Sequence, residues 1–176
     1  MNLILCGLPM SGKTTIGKLL KEKLSWEFID TDLLIEKAYF TKVGEEKSCR
    51  QIFLEEGEFF FRELEKEQVA SLKEVKKSII SIGGGTLNDL ANTSQLQMIG
   101  DLFYLKAEVE LLWKRIECFG IPAYLDLRDP KKAFYEMAEK RMPLYEEASF
   151  SVIETTHLSQ LEVVDAILES RKIGYG

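Results

Sequence analysis

The chain has 176 residues, 45% of them hydrophobic and 30% charged, which suits a single globular domain with a sizeable core. A net charge of −6 argues against general nucleic-acid binding, so any anionic ligand must meet positive charge concentrated locally. Cys6, Cys49 and Cys118 are too widely spaced for a disulfide framework or a metal site, which suits a reducing cytoplasm, and neither a secretory leader nor a membrane-length apolar run is read.

Residues 3–6 form a short apolar run, predicted to be a buried parallel strand. Residues 7–14 then spell G-x-x-x-x-G-K-T, and Ile16, Leu19, Leu20 and Leu24 follow at helical spacing. Each residue type has its own reason. Gly7 and Gly12 allow turns that a Cβ would obstruct. The loop amides and the helix N-terminus form an anion site. Lys13 brings a point charge to the β- and γ-phosphates, and the Thr14 hydroxyl is a hard oxygen ligand for Mg²⁺. The motif indicates what is held, a nucleotide polyphosphate, and not what is done with it.

A second strand is predicted over 26–30 and a helix over 33–40, with a polar loop over 41–47. Cys49, Ile52 and Phe53 suggest a short helix stopped near Gly57, followed by a longer one over 59–72. A third strand over 78–82 runs straight into Gly83-Gly84-Gly85. Then come a helix over 88–98, a strand over 101–105, a helix over 108–118 and a loop over 119–127. A helix over 132–147, interrupted at Pro143, a fifth strand over 150–154 and an amphipathic helix over 158–170 complete the chain. Five short apolar strands alternating with helices imply a parallel sheet covered on both faces, with ligands collected at the carboxyl ends of its strands.

Candidate site residues stand at those ends. Asp30 lies where a carboxylate can hold a Mg²⁺-bound water. Asp32, two residues on, is either a second ligand or the N-cap of the next helix. Gly83-Gly84-Gly85 permits positive φ and leaves amides bare, as either a flexible turn or a point of close approach. Arg62 and Glu65 share a helix face, as a surface ion pair or as an arginine held in one rotamer for a carboxylate. A kink at Pro143 would swing Arg141 toward the crevice; otherwise Arg141 is solvated. His157, the only histidine, is assigned to the surface.

Taken together, residues 7–14, Asp30-Thr31-Asp32, Gly57-Glu58 with Phe61-Arg62 and Glu65, Gly83-Gly84-Gly85, and Arg141 with Pro143-Leu144-Tyr145 resemble the motifs of the shikimate kinases over essentially the full length. That resemblance implies a three-layer α/β P-loop kinase fold, related to the nucleoside monophosphate kinases, with strand order 2-3-1-4-5. It implies one domain over 1–176, with substrate-binding helices at about 32–62 and a lid at about 113–127. The implied reaction moves the ATP γ-phosphoryl group to the 3-hydroxyl of shikimate, on the route to chorismate and the aromatic amino acids. Mg²⁺ is the implied cofactor. The implied setting is a cytoplasmic monomer without nucleic-acid or membrane partners.

Residue roles follow from the same resemblance. Gly7, Leu8, Pro9, Met10, Ser11, Gly12, Lys13, Thr14 and Thr15 would bind ATP, with Arg115, or its rival Lys114, against the adenine. Thr14 and Asp30 would serve Mg²⁺. Asp32 would bind the shikimate hydroxyls and take the proton of the attacking one. Arg62, oriented by Glu65, and Arg141 would grip the carboxylate, and Gly83, Gly84 and Gly85 would line the pocket. The chain departs from the family at the lid, where Ile121, before Pro122, occupies the place of an arginine. Arg128 is the expected replacement, ahead of Lys114 and Arg115. The family's proline across the adenine, near 158–162, is also missing. A kinase for gluconate or a nucleoside monophosphate and a non-catalytic nucleotide-binding module remain as alternatives.

Overall fold

The computed structural model describes residues 1–122, 125 and 128–171. In chain order the elements are β1 (Asn2–Cys6), α1 (Lys13–Leu24), β2 (Glu27–Asp30), α2 (Thr31–Val43), α3 (Cys49–Ser71), β3 (Ser78–Ser81), α4 (Leu90–Ile99), β4 (Gly100–Lys106), α5 (Val109–Phe119), α6 (Pro130–Ala148), β5 (Ser151–Glu154) and α7 (Gln160–Arg171). All five strands are parallel, in the order β2-β3-β1-β4-β5.

β1 shows why its sequence lacks polar alternation. Leu3 and Leu5 face Ile16 and Leu20 of α1 and Val164 and Ile167 of α7. Ile4 and Cys6 face the other way, toward a core that includes Leu96, Leu112, Phe134 and Tyr145 from α4, α5 and α6. Both faces are dry, so every position is apolar. The exception, Asn2, is fully buried and fully used. Its Nδ2 donates to the carbonyls of Val75 (2.8 Å) and Ile99 (3.0 Å), and its Oδ1 accepts from the Ser78 amide (3.1 Å). One side-chain amide thereby joins the entries of the three central strands.

A third cluster, Ile35, Tyr39, Ile52, Phe61 and Leu64, holds α2 against α3. This pair leaves from the carboxyl end of β2 and flanks the crevice. α3 opens with a capping box between Ser48 and Gln51 and bends at Gly57, whose φ of 87° and ψ of 167° are not helical. The predicted break at Gly57 is therefore a kink between two helical segments.

Two expectations are corrected. The helix after β2 is capped by Asp30, not Asp32: the Asp30 side chain accepts the Asp32 amide at 3.1 Å. α6 runs unbroken through Pro143. Arg141 reaches the interior because it lies on the buried stripe Phe134, Ala138, Arg141, Tyr145, Ala148, not because a kink swings it there.

Candidate active site

β1 delivers the chain into a loop where Gly7, Met10 and Gly12 take φ of 144°, 64° and 94°. A Cβ on Gly7 would stand 2.8 Å from the Leu105 carbonyl oxygen and 2.9 Å from Ser11 Oγ, so this position requires glycine twice over. Gly12 caps α1 without any side-chain hydrogen bond, which leaves the first amides of that helix for a ligand. Lys13 Nζ donates to the Gly7 and Leu8 carbonyls at 3.0 Å each, across its own loop. Burial lowers its pKa, opposed chiefly by the nearby Asp32 carboxylate. Pro9, Met10, Gly12, Lys13, Thr14 and Thr15 line a cavity of about 770 Å³, while Leu8 and Ser11 are buried behind them.

Asp30 uses both oxygens. Oδ1 caps α2, and Oδ2 accepts from Thr14 Oγ1 at 3.2 Å. This pair of hard oxygens beside the phosphate loop fits Mg²⁺, which takes one or two protein ligands and completes its shell with phosphate and water. Among the described residues no cluster of three or more potential metal ligands exists, so an ion at this pair would complete its shell from phosphate and water. Asp32 sits two residues further along the cavity wall. Loss of hydration there, reinforced by the Asp30 charge and opposed by Lys13, pushes its carboxyl up to about 6.

At the end of β3 the two sequence-distant arginines meet the glycine triplet. A Cβ on Gly85 would lie 2.5 Å from Arg62 Nη2, and one on Gly84 would lie 3.3 Å from Arg141 Nη1. None of Gly83, Gly84 and Gly85 has positive φ. Of the two readings the sequence allowed, close approach holds at Gly85: space for the guanidinium of Arg62, not turn geometry, makes this position a glycine. Arg62 Nη1 donates to Glu65 Oε2 at 2.7 Å, and Glu65 is buried. Tyr145 donates to the Gly84 carbonyl at 2.5 Å, and the Gly83 amide donates to Thr31 Oγ1 at 3.2 Å. The sequence reading missed Thr86, whose buried hydroxyl donates to Glu65 Oε1 at 2.7 Å. Its only signal was its position directly after the glycines.

The far end of the cavity is walled by Arg115 and Phe119 together with Thr155, Leu158, Gln160 and Val163. Arg115 Nη1 donates to the Met10 carbonyl at 3.0 Å, lying across the phosphate loop. Much of the lid expected at 113–127 belongs to α5, and positions 123, 124, 126 and 127 lie outside the described residues. The structure does not bring Arg128 to the cavity: it is exposed and absent from the lining. Arg50, missed by the sequence reading, does line it and donates to the Ile121 carbonyl at 2.6 Å.

A phosphate loop at the switch between strands, a carboxylate facing the same cavity and a separate cationic patch beyond it define a P-loop kinase. The shikimate kinase family profile matches residues 9–172. The shikimate kinase of Thermodesulfovibrio yellowstonii is 34% identical over 168 residues, covering 96% of this chain and 93% of that protein. That of Alkaliphilus oremlandii is 36% identical over 169 residues, covering 95% and 96%. The solved structure of the shikimate kinase from Acinetobacter baumannii in complex with shikimate superposes with a TM-score of 0.83 at 32% identity, covering 98% of this chain and 95% of that one. The chain belongs to the shikimate kinase family.

Proposed function

We propose that this protein transfers the γ-phosphoryl group of ATP to the 3-hydroxyl of shikimate, giving shikimate 3-phosphate and ADP. The observation that carries this reading is the convergence of Arg62 and Arg141 on adjacent glycines in the cavity that the phosphate loop also lines. Two guanidiniums on one strip suit a planar carboxylate far better than a neutral sugar.

In this reading the loop amides and Lys13 hold the β- and γ-phosphates, and Arg115 and Leu158 flank the adenine. Mg²⁺, held by Thr14 and through water by Asp30, would supply neutralising charge between the phosphates. Asp32 binds the acceptor hydroxyls and takes the proton of the attacking one, a role that a carboxyl titrating at about 6 can fill near neutral pH. Arg62 and Arg141 fix the acceptor's other end, so catalysis is mainly positioning and charge neutralisation. The reading includes a monomer in the cytoplasm; no helix among the described residues is long and apolar enough to cross a membrane.

A coupled ADP-release assay tests the proposal. Shikimate should turn over, and an analogue lacking only the carboxylate should lose about 10²-fold in kcat/KM, since charge-assisted hydrogen bonds contribute roughly 1.5–3 kcal/mol each. Equal rates on gluconate or a nucleoside monophosphate would overturn the assignment. For the charge that meets the transferring group, Arg128 is the expected lid residue, but Arg50 has an observation in its favour, its contact with the Ile121 carbonyl. Arg128→Ala and Arg50→Ala separate them: the true contributor loses kcat with little change in the KM for shikimate.

A further inference from the structure

A buried carboxylate must be paired, or it loses a proton equilibrium that favours its charge. Glu65 is 2% exposed. Its Oε2 accepts from Arg62 Nη1 at 2.7 Å. Among the described residues its second oxygen has one hydrogen-bond donor, the hydroxyl of Thr86 at 2.7 Å. Thr86 is 0% exposed and held at both backbone poles: its amide donates to the Gly83 carbonyl at 3.2 Å, and its carbonyl accepts from Asn92 Nδ2 at 3.3 Å. A chain of contacts thus runs from the buried Asn92 on α4, through Thr86 and Glu65, to the guanidinium lying over Gly85.

We propose that Thr86 is a positioning residue for acceptor recognition: its hydroxyl locks the Glu65 carboxylate, and Glu65 in turn aims Arg62 at the carboxylate of the acceptor. Thr86 itself touches no ligand, since its side chain is sealed from the cavity. It acts by satisfying the one Glu65 oxygen that Arg62 leaves open. Without it, that buried oxygen is left without its donor, and a carboxylate that rotates to find another releases Arg62 from its rotamer. Gly83 fixes the geometry of this corner. An added Cβ there would stand 3.1 Å from Asp32 Oδ1, 3.2 Å from Thr86 Oγ1 and 3.3 Å from Glu65 Oε1, so the groups that read the acceptor's hydroxyl and acid ends abut one backbone position.

The inference rests on Arg62 as one arm of the carboxylate clamp, and the test separates the two ideas. Thr86→Val keeps the shape and removes the hydroxyl; Thr86→Ser restores it. Thr86→Val is expected to raise the KM for shikimate about tenfold, with the KM for ATP unchanged and kcat within about threefold, as suits loss of one hydrogen bond to a charged group. Thr86→Ser should stay near wild type. On the analogue lacking the carboxylate, Thr86→Val and wild type should perform alike, so discrimination between the two acceptors shrinks in the variant. Added to Arg62→Ala, Thr86→Val should change nothing further. Equal losses on both acceptors, or an unchanged KM for shikimate in a variant with wild-type melting, would overturn the proposal. Thr86→Ala carries the same readouts if the valine variant does not fold. A wild-type enzyme that ignores the carboxylate would instead overturn the clamp.

Discussion

In the proposed reading, the two anion sites of the cavity work by opposite means. At the phosphate loop the donors are backbone amides supplemented by one lysine, and eight consecutive residues supply them. At the acceptor end the donors are two guanidiniums separated by 79 positions in the chain (141 minus 62), brought together by a kinked helix and an unbroken one. The first site needs only a strand, a turn and a helix to exist. The second needs the whole sheet in register before it is a site at all. Side chains also demand support that amides do not, hence the buried Glu65, Thr86 and Tyr145 around the arginines.

The comparison can be broken at either end. The largest effect belongs to Lys13→Ala, which should lower kcat by about 10²–10³-fold, as removal of a preorganised charge donor does, while equilibrium binding of shikimate is unchanged. A variant with near-normal turnover would remove the loop lysine from the mechanism. Gly85→Ala should come next. Its Cβ would sit 2.5 Å from Arg62 Nη2, so the guanidinium must move. The expected result is a KM for shikimate raised about ten- to hundredfold, with the KM for ATP kept. Equal damage to both Michaelis constants would mean that the two ends are not independent.

The smallest effects concern Asp32, which stands between the ends. Loss of hydration at the carboxylate, with the Asp30 charge beside it, pushes its carboxyl up to about 6 from an ordinary 3.8. As proton acceptor it must be ionised, so kcat/KM should fall as pH drops through about 6, and Asp32→Asn should abolish that limb. For stability the sign is the reverse. The folded chain holds this proton more tightly than the unfolded chain, so stability declines as pH rises from about 4 to about 6. Asp32→Asn should therefore raise Tm slightly at pH 7 and leave it unchanged below pH 4, measured by thermal denaturation. No pH-dependent difference in Tm would remove the desolvated-carboxylate account.

Local pattern made much of this legible. The strand preceding Gly7, the helix following Gly12 and the five-strand alternation appear in the sequence because burial on both faces forces apolar runs. The break at Gly57 was legible for the same local reason, glycine tolerating the positive φ found there. Asp32 stands as the candidate cap because the apolar pattern places the helix start at 33, whereas the folded helix opens at Thr31 and Asp30 accepts the Asp32 amide. Pro143 misled, because it sits on the exposed side of α6, opposite the buried stripe, and the helix runs on through it. Arg50 was invisible, as nothing in its neighbours marks a residue that meets Ile121.

By itself, then, the sequence determined the phosphate site, the strand-helix alternation and, through its ordered motifs, the kinase family, all properties of segments short enough for local sterics and periodicity to dictate. Only the tertiary structure decided where the arginines and glycines stand relative to one another. Whether Gly85 is a flexible turn or a space for Arg62, and whether Glu65 is a surface partner or a buried one locked by Thr86, depends on contacts across 20 or more positions (62 to 85 is 23, 65 to 86 is 21). Such contacts exist only once the sheet has set the distance between helices, and no local rule carries that distance.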